Sequence, residues 1–167
     1  MAKTLQQKVV SALSKANLTL SCAESCTGGL IAKRITDVSG ASTVFHGGVV
    51  SYVNAVKQNV LGVSARDLEQ YGAVSAPVGR QMASSAARLL GTDLAVSTTG
   101  VAGPNPDDRG NTVGTVYVSL SAQGKTWCYL CHFDGDRARI RRSAAEFALS
   151  LVLRYLSGAD MAEGALS

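Results

Sequence analysis

Residues 18–29 of the chain read LTLSCAESCTGG and contain the transition on which the fold depends. The stretch 18–23 predicts a strand, and the apolar side chains after the glycines recur at helical spacing, at Leu30, Ile31, Ile35 and Val38. A turn from strand to helix aims backbone N–H groups and the positive end of the helix dipole at one point. The Ser25 hydroxyl and the Cys26 thiol at that turn are therefore candidate nucleophiles.

Helical and strand patterns alternate along the rest of the chain. Helices are predicted over residues 4–16, 54–61, 64–72, 76–90 and 136–156, and a further helix follows the paired glycines and ends at Val38. Strands are predicted over residues 18–23, 44–53, 93–99, 114–122 and 125–133. This order predicts an α/β fold with three layers (α/β/α), in which a mixed sheet carries helices on both faces. We expect one domain over residues 1–167, with a core at about 5–157 and a frayed, flexible tail at 158–167.

Three local signals refine this prediction. Gly47-Gly48 inside the second strand indicates a bulge or a close approach of another backbone. Asn54 is predicted to cap the next helix, and Ser39–Ser42 is predicted to form a turn. Ser64, followed by an acidic residue three positions later, predicts another helix start.

Composition and charge narrow the class of protein. The chain has 167 residues, 46% of them hydrophobic and 17% charged, which is enough to bury a sizeable core. No apolar run approaches the ~20 residues that span a bilayer, and the first residues lack the apolar centre of a secretory signal. We therefore expect a cytoplasmic protein that binds no membrane. The net charge of +4 suits an anionic small molecule better than nucleic acid.

The four cysteines, Cys22, Cys26, Cys128 and Cys131, do not predict a metal site. Cys128 and Cys131 fall in a predicted strand, where residues three apart point to opposite faces. The acidic residues and histidines show no ligand spacing either. We expect no metal and no disulfide framework.

Four segments are expected to converge at one edge of the sheet: Ser25–Gly29, Ser51–Lys57, Thr98–Pro104 and Asp134–Arg137. Ligands in α/β folds usually bind at such strand ends. A hydroxyl nucleophile needs a base, and neither His46 nor His132 lies in a recognisable triad motif. Lys57, five residues after Tyr52, is the candidate base, because desolvation lowers the pKa of a lysine.

The basic run that opens the last helix admits two interpretations. Arg137, Arg139, Arg141 and Arg142 form a solvated face in one interpretation. In the other, Arg137 beside the Gly-Asp turn pairs with a phosphate.

An ordered set of motifs carries a resemblance to a known family. The motifs are AESCTGG at 23–29, SYxNxxK at 51–57, GVS at 62–64, GAVS at 72–75, GVAGP at 100–104, VGTV at 113–116 and GDR at 135–137. In these motifs the chain resembles the C-terminal domain of the CinA family, the nicotinamide-nucleotide amidases, over about residues 5–157. The resemblance implies the stand-alone form of a domain that also occurs behind a molybdopterin-binding-like domain.

The resemblance implies hydrolysis of nicotinamide mononucleotide to nicotinate mononucleotide and ammonia, without a cofactor. It implies Ser25 as nucleophile, Lys57 as general base and Tyr52 as an orienting or relaying group. N–H groups at the start of the Gly28-Gly29 helix or in the Gly100–Gly103 loop are expected to hold the oxyanion. The expected substrate-binding residues are Glu24, Cys26, Thr27, Gly28, Gly29, Asn54, Thr99, Gly100, Ala102, Gly103 and Arg137. Arg109 is the alternative ligand of the phosphate.

Alternatives remain open at this point. Cys26 is the rival nucleophile, because a thiol at a helix N-terminus has a lowered pKa. A nucleotide-binding module without catalysis, linked to competence or DNA damage, is the second hypothesis. Nucleic-acid binding through the arginines is a third, which the 5% aromatic content disfavours. We also expect a homodimer or a homotrimer, because small α/β enzymes often complete their sites across an interface.

Overall fold

The computed structural model describes residues 1–167 and contains the predicted elements in the predicted order. The helices are α1 (Leu5–Ala16), α2 (Leu30–Thr36), α3 (Asn54–Asn59), α4 (Ala65–Tyr71), α5 (Ala76–Leu90) and α6 (Arg137–Leu156). The strands are β1 (Leu20–Glu24), β2 (Phe45–Val50), β3 (Leu94–Gly100), β4 (Thr115–Ala122) and β5 (Lys125–His132). None of the helices combines the length and the apolar character needed to cross a membrane.

The strands form one five-stranded sheet in the order β2-β1-β3-β4-β5. Strand β1 pairs in parallel with β2 and β3, whereas β4 is antiparallel to both β3 and β5. The sheet is therefore mixed, as predicted. The carboxyl ends of its three parallel strands, Glu24, Val50 and Gly100, lie at the same edge.

Helices cover both faces of the sheet, which confirms the three-layer prediction. Because successive strand residues point to opposite faces, Leu94 and Val96 pack with α1, α2 and α6. Ala95, between them, packs on the other face with α4 and α5. Gly79 lets α5 lie close to the sheet, because an added Cβ atom there would lie 3.2 Å from Ser119 Oγ.

The paired glycines of β2 produce both of the features that their sequence indicates. Leu20 pairs with Phe45 but Ser21 pairs with Gly47, so His46 is the extra residue of a bulge. At Gly48 an added Cβ atom would lie only 2.5 Å from the Cys22 sulfur. Glycine is needed there because the neighbouring strand approaches so closely.

Three predicted details differ in the structure. Val53, not Asn54, is the N-cap residue of α3, and Asn54 is its first helical residue. The predicted turn at 39–42 is partly a short 3-10 helix over Ala41–Thr43. Strand β2 ends at Val50, because the chain leaves the sheet before it enters α3.

The structure packs residues 158–167, the predicted tail, against the rest of the protein. Met161 is only 5% exposed and packs in the core beside α6. The Tyr129 hydroxyl donates to the Met161 carbonyl, and Arg154 donates to the Glu163 carbonyl at 2.6 Å. The Leu166 N–H donates to the Cys128 carbonyl at 2.8 Å, so the tail also covers part of the open edge of β5.

We expect Met161→Ala to lower the free energy of unfolding by about 2–4 kcal/mol, because it removes a buried side chain and leaves a cavity. Leu166→Ala is the matched control, since Leu166 is 38% exposed, and it should cost less than about 1 kcal/mol. Urea denaturation of the two variants measures the difference. Equal and small effects would mean that the tail does not pack in solution.

Candidate active site

The four segments expected to converge do so at the carboxyl ends of the parallel strands. They line a cavity of about 290 Å³. The predicted site residues that line it are Ser25, Cys26, Tyr52, Asn54, Lys57, Thr99, Gly100, Ala102, Gly103 and Arg137. This position agrees with the usual location of ligand sites in open α/β sheets.

Ser25 is the first residue after β1 and is held by its backbone. Its N–H donates to the Thr98 carbonyl on β3 at 3.0 Å, and its carbonyl accepts from the Gly28 N–H at 3.0 Å. Gly28 and Gly29 have φ values of +58° and +101°, which favour glycine and let the chain turn sharply into α2. The Ser25 side chain thus faces the cavity while its residue is only 8% exposed.

Lys57 reaches Ser25 from α3. Its Nζ atom lies 3.0 Å from Ser25 Oγ and donates to the Ser51 carbonyl at 2.7 Å. The residue is 1% exposed and has no carboxylate partner. The one ion pair of the protein joins Lys33 and Asp37. Burial therefore lowers the pKa of Lys57 from its ordinary 10.5 to about 8. A neutral amine beside a hydroxyl can act as its base.

Cys26 also lines the cavity, but its thiol is not activated. Burial raises the pKa of Cys26 to about 11, although a hydrogen bond with Thr98 acts in the opposite direction. The expectation of a lowered pKa fails because α2 begins only at Leu30 and the Cys26 side chain packs within the core. A protonated, buried thiol is a poor nucleophile, so the geometry favours Ser25.

Glu24, Thr27, Gly28 and Gly29 do not line the cavity, contrary to expectation. Glu24 is 1% exposed, and its carboxylate accepts from the N–H groups of Ile31 at 2.8 Å and Ala32 at 3.1 Å. The Thr27 hydroxyl donates to the same carboxylate at 2.6 Å and contacts the Thr98 hydroxyl at 2.8 Å. Glu24 thus caps α2 from a distance and satisfies the donors at its first turn.

The oxyanion donors are correspondingly fewer than expected. Glu24 occupies two N–H groups of α2, and Gly28 donates to Ser25, so the start of that helix offers little. The N–H groups of Cys26, Ala102 and Gly103 have no acceptor within the protein, and all three residues line the cavity. The unbonded backbone N–H groups nearest to Ser25 are therefore those of the next residue and of the loop after β3, and they are the candidate oxyanion donors.

Tyr52 and Arg137 meet at the mouth of the cavity. Arg137 donates to the Tyr52 hydroxyl at 2.7 Å and to the Gly103 carbonyl at 2.6 Å. Tyr52 is exposed, and its hydroxyl bonds to neither Ser25 nor Lys57. This arrangement does not support the relay expected of Tyr52, because Lys57 already contacts Ser25. The Arg137 guanidinium has only neutral partners and keeps its positive charge for a ligand.

Arg109, the alternative phosphate ligand, points away from the cavity. It donates to the carbonyls at the carboxyl end of α4, to Glu69 and, at 3.2 Å, to Gln70. It also packs on Gly72, where an added Cβ atom would lie 2.6 Å from the arginine side chain. Arg109 therefore anchors the loop after Pro104 to α4, and Arg137 remains the candidate for the phosphate.

The remaining predicted residues and several unforeseen ones form the wall. Thr99 donates to the Ala73 carbonyl at 2.7 Å, which joins β3 to the segment before α5. Sequence reasoning missed five lining residues, Ala73, Val74, Val101, Asn105 and Asp107, and the carbonyl of Ser51 that holds Lys57. The GAVS motif at 72–75 was a signal for two of them, but its spacing alone assigns no role.

The cysteines of β5 agree with the strand geometry. Cys131 packs in the core beside α6, whereas the Cys128 thiol faces Ser119, which lies against Gly79 of α5. The two thiols are thus on opposite faces of the sheet, as predicted. All four cysteines are free.

Comparison with known proteins agrees with the motifs. Residues 2–156 match the family described as CinA C-terminal domain. A protein of Thermoanaerobacter pseudethanolicus, whose name refers to competence and damage induction, is 47% identical over 154 residues. The match covers 92% of this chain but 37% of that relative, so the chain spans little more than a third of its length.

Solved structures of similar proteins share the fold over nearly their whole length. A competence-damaged protein (CinA) superfamily protein from Klebsiella pneumoniae has a TM-score of 0.90 at 30% identity, with 92% of this chain and 96% of that one covered. The competence/damage inducible protein CihA from Agrobacterium tumefaciens has a TM-score of 0.86 at 35% identity, with 92% and 93% covered.

We expect Glu24→Gln to lower the free energy of unfolding by about 1–3 kcal/mol, because an amide N–H₂ would then face backbone donors of α2. Glu146→Gln, at an exposed position of α6, is the matched control and should change stability by less than about 0.5 kcal/mol. Urea denaturation measures both. If Glu24→Gln were as stable as the control, the carboxylate would not be the cap of α2.

Proposed function

This chain belongs to the CinA C-terminal domain family, and we propose that it is an amidase that hydrolyses nicotinamide mononucleotide to nicotinate mononucleotide and ammonia. The observation that carries the proposal is the 3.0 Å contact between Ser25 Oγ and the buried Lys57 Nζ. It gives a hydroxyl nucleophile and a base in direct contact. The substrate itself follows from the family resemblance and from the charge of the cavity.

In the first half-reaction, neutral Lys57 accepts the Ser25 proton while Ser25 Oγ bonds to the carboxamide carbon. The carbonyl electron pair moves to oxygen, where the N–H groups of Cys26, Ala102 or Gly103 stabilise it. Each well-placed donor contributes roughly 3–4 kcal/mol in such a transition state. Lys57 then returns the proton to the amide nitrogen, the C–N bond breaks, and ammonia leaves an ester on Ser25.

In the second half-reaction, Lys57 accepts a proton from water, and the oxygen of that water attacks the ester carbon. The bond to Ser25 Oγ breaks, and the proton returns from Lys57 to Ser25. Nicotinate mononucleotide leaves, and the enzyme regains its starting state. One base thus serves both half-reactions, which is economical in a site that offers no histidine.

Arg137 supports an anionic substrate. Its guanidinium lies at the mouth of the cavity and forms no ion pair with a carboxylate. It donates to the Tyr52 hydroxyl and to the Gly103 carbonyl, which hold it in place. A phosphate can accept two hydrogen bonds from such a fork. In this proposal Tyr52 positions Arg137 at the rim.

The non-catalytic alternative makes a different prediction. A nucleotide-binding module would bind nicotinamide mononucleotide and release no ammonia. It does not explain why a lysine is buried against a serine, because binding alone would favour an exposed, charged lysine.

We expect the wild type to release ammonia from nicotinamide mononucleotide, and Ser25→Ala and Lys57→Ala to lose at least about 10³-fold in kcat, because each removes half of the reacting pair. Cys26→Ala should stay within about threefold of the wild type, since its thiol is protonated. A coupled ammonia assay measures all four proteins.

Nicotinamide riboside serves as the substrate control, because it lacks the phosphate that Arg137 would bind. Relative to nicotinamide mononucleotide, the riboside should show a much higher KM and a much smaller change in kcat. Full activity of Ser25→Ala, or a loss confined to Cys26→Ala, would contradict the assignment of the nucleophile. Binding of the nucleotide with no ammonia from the wild type would favour the non-catalytic module.

We expect kcat/KM to rise with pH and to reach half of its maximum near pH 8, because the pKa of Lys57 is lowered to about 8 by burial. Below that pH the lysine is protonated and cannot accept the Ser25 proton, so activity falls as pH drops. Initial rates at constant ionic strength, with circular dichroism as a check on folding, measure the profile. A profile that is flat from about pH 6 to about pH 8 would exclude lysine as the base.

A further inference from the structure

Arg141 of α6 contacts the turn that carries the nucleophile. Its Nε atom donates to the Cys26 carbonyl at 3.1 Å, and its Nη2 atom donates to the Thr27 carbonyl at 2.9 Å. These two donors lie on the same side of the guanidinium, so one planar group binds two consecutive carbonyls. Arg141 is partly buried and does not line the cavity, so it has no direct path to a substrate there.

The turn is also held by the Thr27 hydroxyl, which contacts Glu24 and Thr98, by the Leu30 N–H, which donates to the Thr27 carbonyl at 3.1 Å, and by the Ser25 backbone. The Ser25 N–H is bound to β3 through the Thr98 carbonyl, and the Ser25 carbonyl accepts from Gly28. After Ser25, the chain must cross from the sheet to α2 without the support of regular structure. Arg141 is the one hydrogen-bond partner of the Cys26 carbonyl and links the turn to the longest helix of the protein.

The orientation of the Cys26 N–H depends on this arrangement. In a trans peptide the C=O and N–H groups point in opposite directions. Since the Ser25 carbonyl points to Gly28, the Cys26 N–H points away from the turn. The Cys26 carbonyl, at the other end of the same residue, is held by Arg141. Rotation of the Cys26 backbone therefore requires the loss of an Arg141 hydrogen bond.

Gly28 is shaped to admit the guanidinium. Its φ of +58° is one that side chains rarely adopt, and an added Cβ atom would lie 3.1 Å from Arg141 Nη2. Glycine thus suits the backbone conformation, and a Cβ atom there would also crowd the Arg141 guanidinium. The charge of Arg141 is also unpaired with any carboxylate, so it adds positive potential on the side of the turn that faces α6.

We propose that Arg141 is a positioning residue for acyl transfer, which holds the turn so that Ser25 Oγ and the Cys26 N–H face one point of the cavity. This proposal rests on the acyl-transfer function proposed above. A displacement of about 1 Å in a reacting group can lower a rate by about a hundredfold. Lysine cannot replace arginine here, because a point charge cannot bind both carbonyls with fork geometry.

The test measures the reactivity of Ser25 with a fluorophosphonate, which phosphonylates activated serines and does not depend on the natural substrate. The variants are Arg141→Lys and Arg141→Ala. The matched control is Arg142→Ala, whose side chain is exposed on the same helix and makes no hydrogen bond. Mass spectrometry locates the label, and melting curves show whether each variant is folded.

We expect both Arg141 variants to label Ser25 about 10- to 100-fold more slowly than the wild type, and Arg142→Ala to label within about twofold of it. With nicotinamide mononucleotide, kcat should fall by a similar factor while KM changes less than about threefold. Methylguanidinium added to Arg141→Ala should restore about tenfold in the labelling rate. If the role of Arg141 were merely structural, its variants would melt at a lower temperature, but kcat would not fall separately from KM and methylguanidinium would not restore the labelling rate.

Wild-type labelling by a folded Arg141→Ala variant would overturn the positioning role. So would an effect on KM alone, which would make Arg141 a ligand of the substrate. If the wild type is labelled at Ser25 but releases no ammonia, the proposed substrate fails while the positioning role stands. If Ser25 of the wild type is not labelled at all, the activated serine is refuted, and the positioning role with it.

Discussion

The burial of Lys57 without a carboxylate partner is the constraint on which the site depends. An ammonium group in this position is stabilised only by a hydroxyl and a carbonyl, so burial shifts it toward the neutral amine. With a pKa of about 8, roughly one lysine in ten is neutral at pH 7, against fewer than about one in a thousand at 10.5. A nearby aspartate would stabilise the fold, but it would also favour the charged form of Lys57 and so remove the neutral amine that can act as a base. The absence of one is therefore consistent with a catalytic rather than a structural lysine.

Two further charges hold the nucleophile from opposite sides. Glu24 takes the N–H groups of α2, and Arg141 takes the carbonyls of the preceding turn. Together they satisfy polar groups of a short, irregular segment that is buried between the sheet and α6. A consequence is that the dipole of α2 is already neutralised by Glu24. In the proposed mechanism, the stabilisation of the oxyanion therefore depends on individual N–H groups and not on a helix end.

Much of this arrangement could be predicted from the sequence, and the exceptions have physical reasons. Ser25 and Lys57 were predictable because a strand end and a helix start fix where they lie. The sequence analysis places Glu24 in the cavity, but its carboxylate faces the start of α2, because consecutive residues at the end of a strand point in opposite directions. The partner of Arg109 was not predictable, since a loop composition does not specify which carbonyls a long side chain reaches. Met161 stands alone among polar and small residues, so no periodicity signalled its burial.

The two ends of the cavity differ in charge, which favours one orientation of a bound ligand. At its inner end, burial favours the neutral form of Lys57, and at its mouth no carboxylate offsets the positive charge of Arg137. Asp107, the one acidic residue of the wall, already accepts from the backbone and side chain of Asn111 at 2.7 Å each. An elongated ligand with a phosphate at one end and an uncharged amide at the other is stabilised in only one orientation. In the proposed reaction, that orientation would bring the amide to Ser25, so the charge that binds the phosphate would also select the bond that is broken.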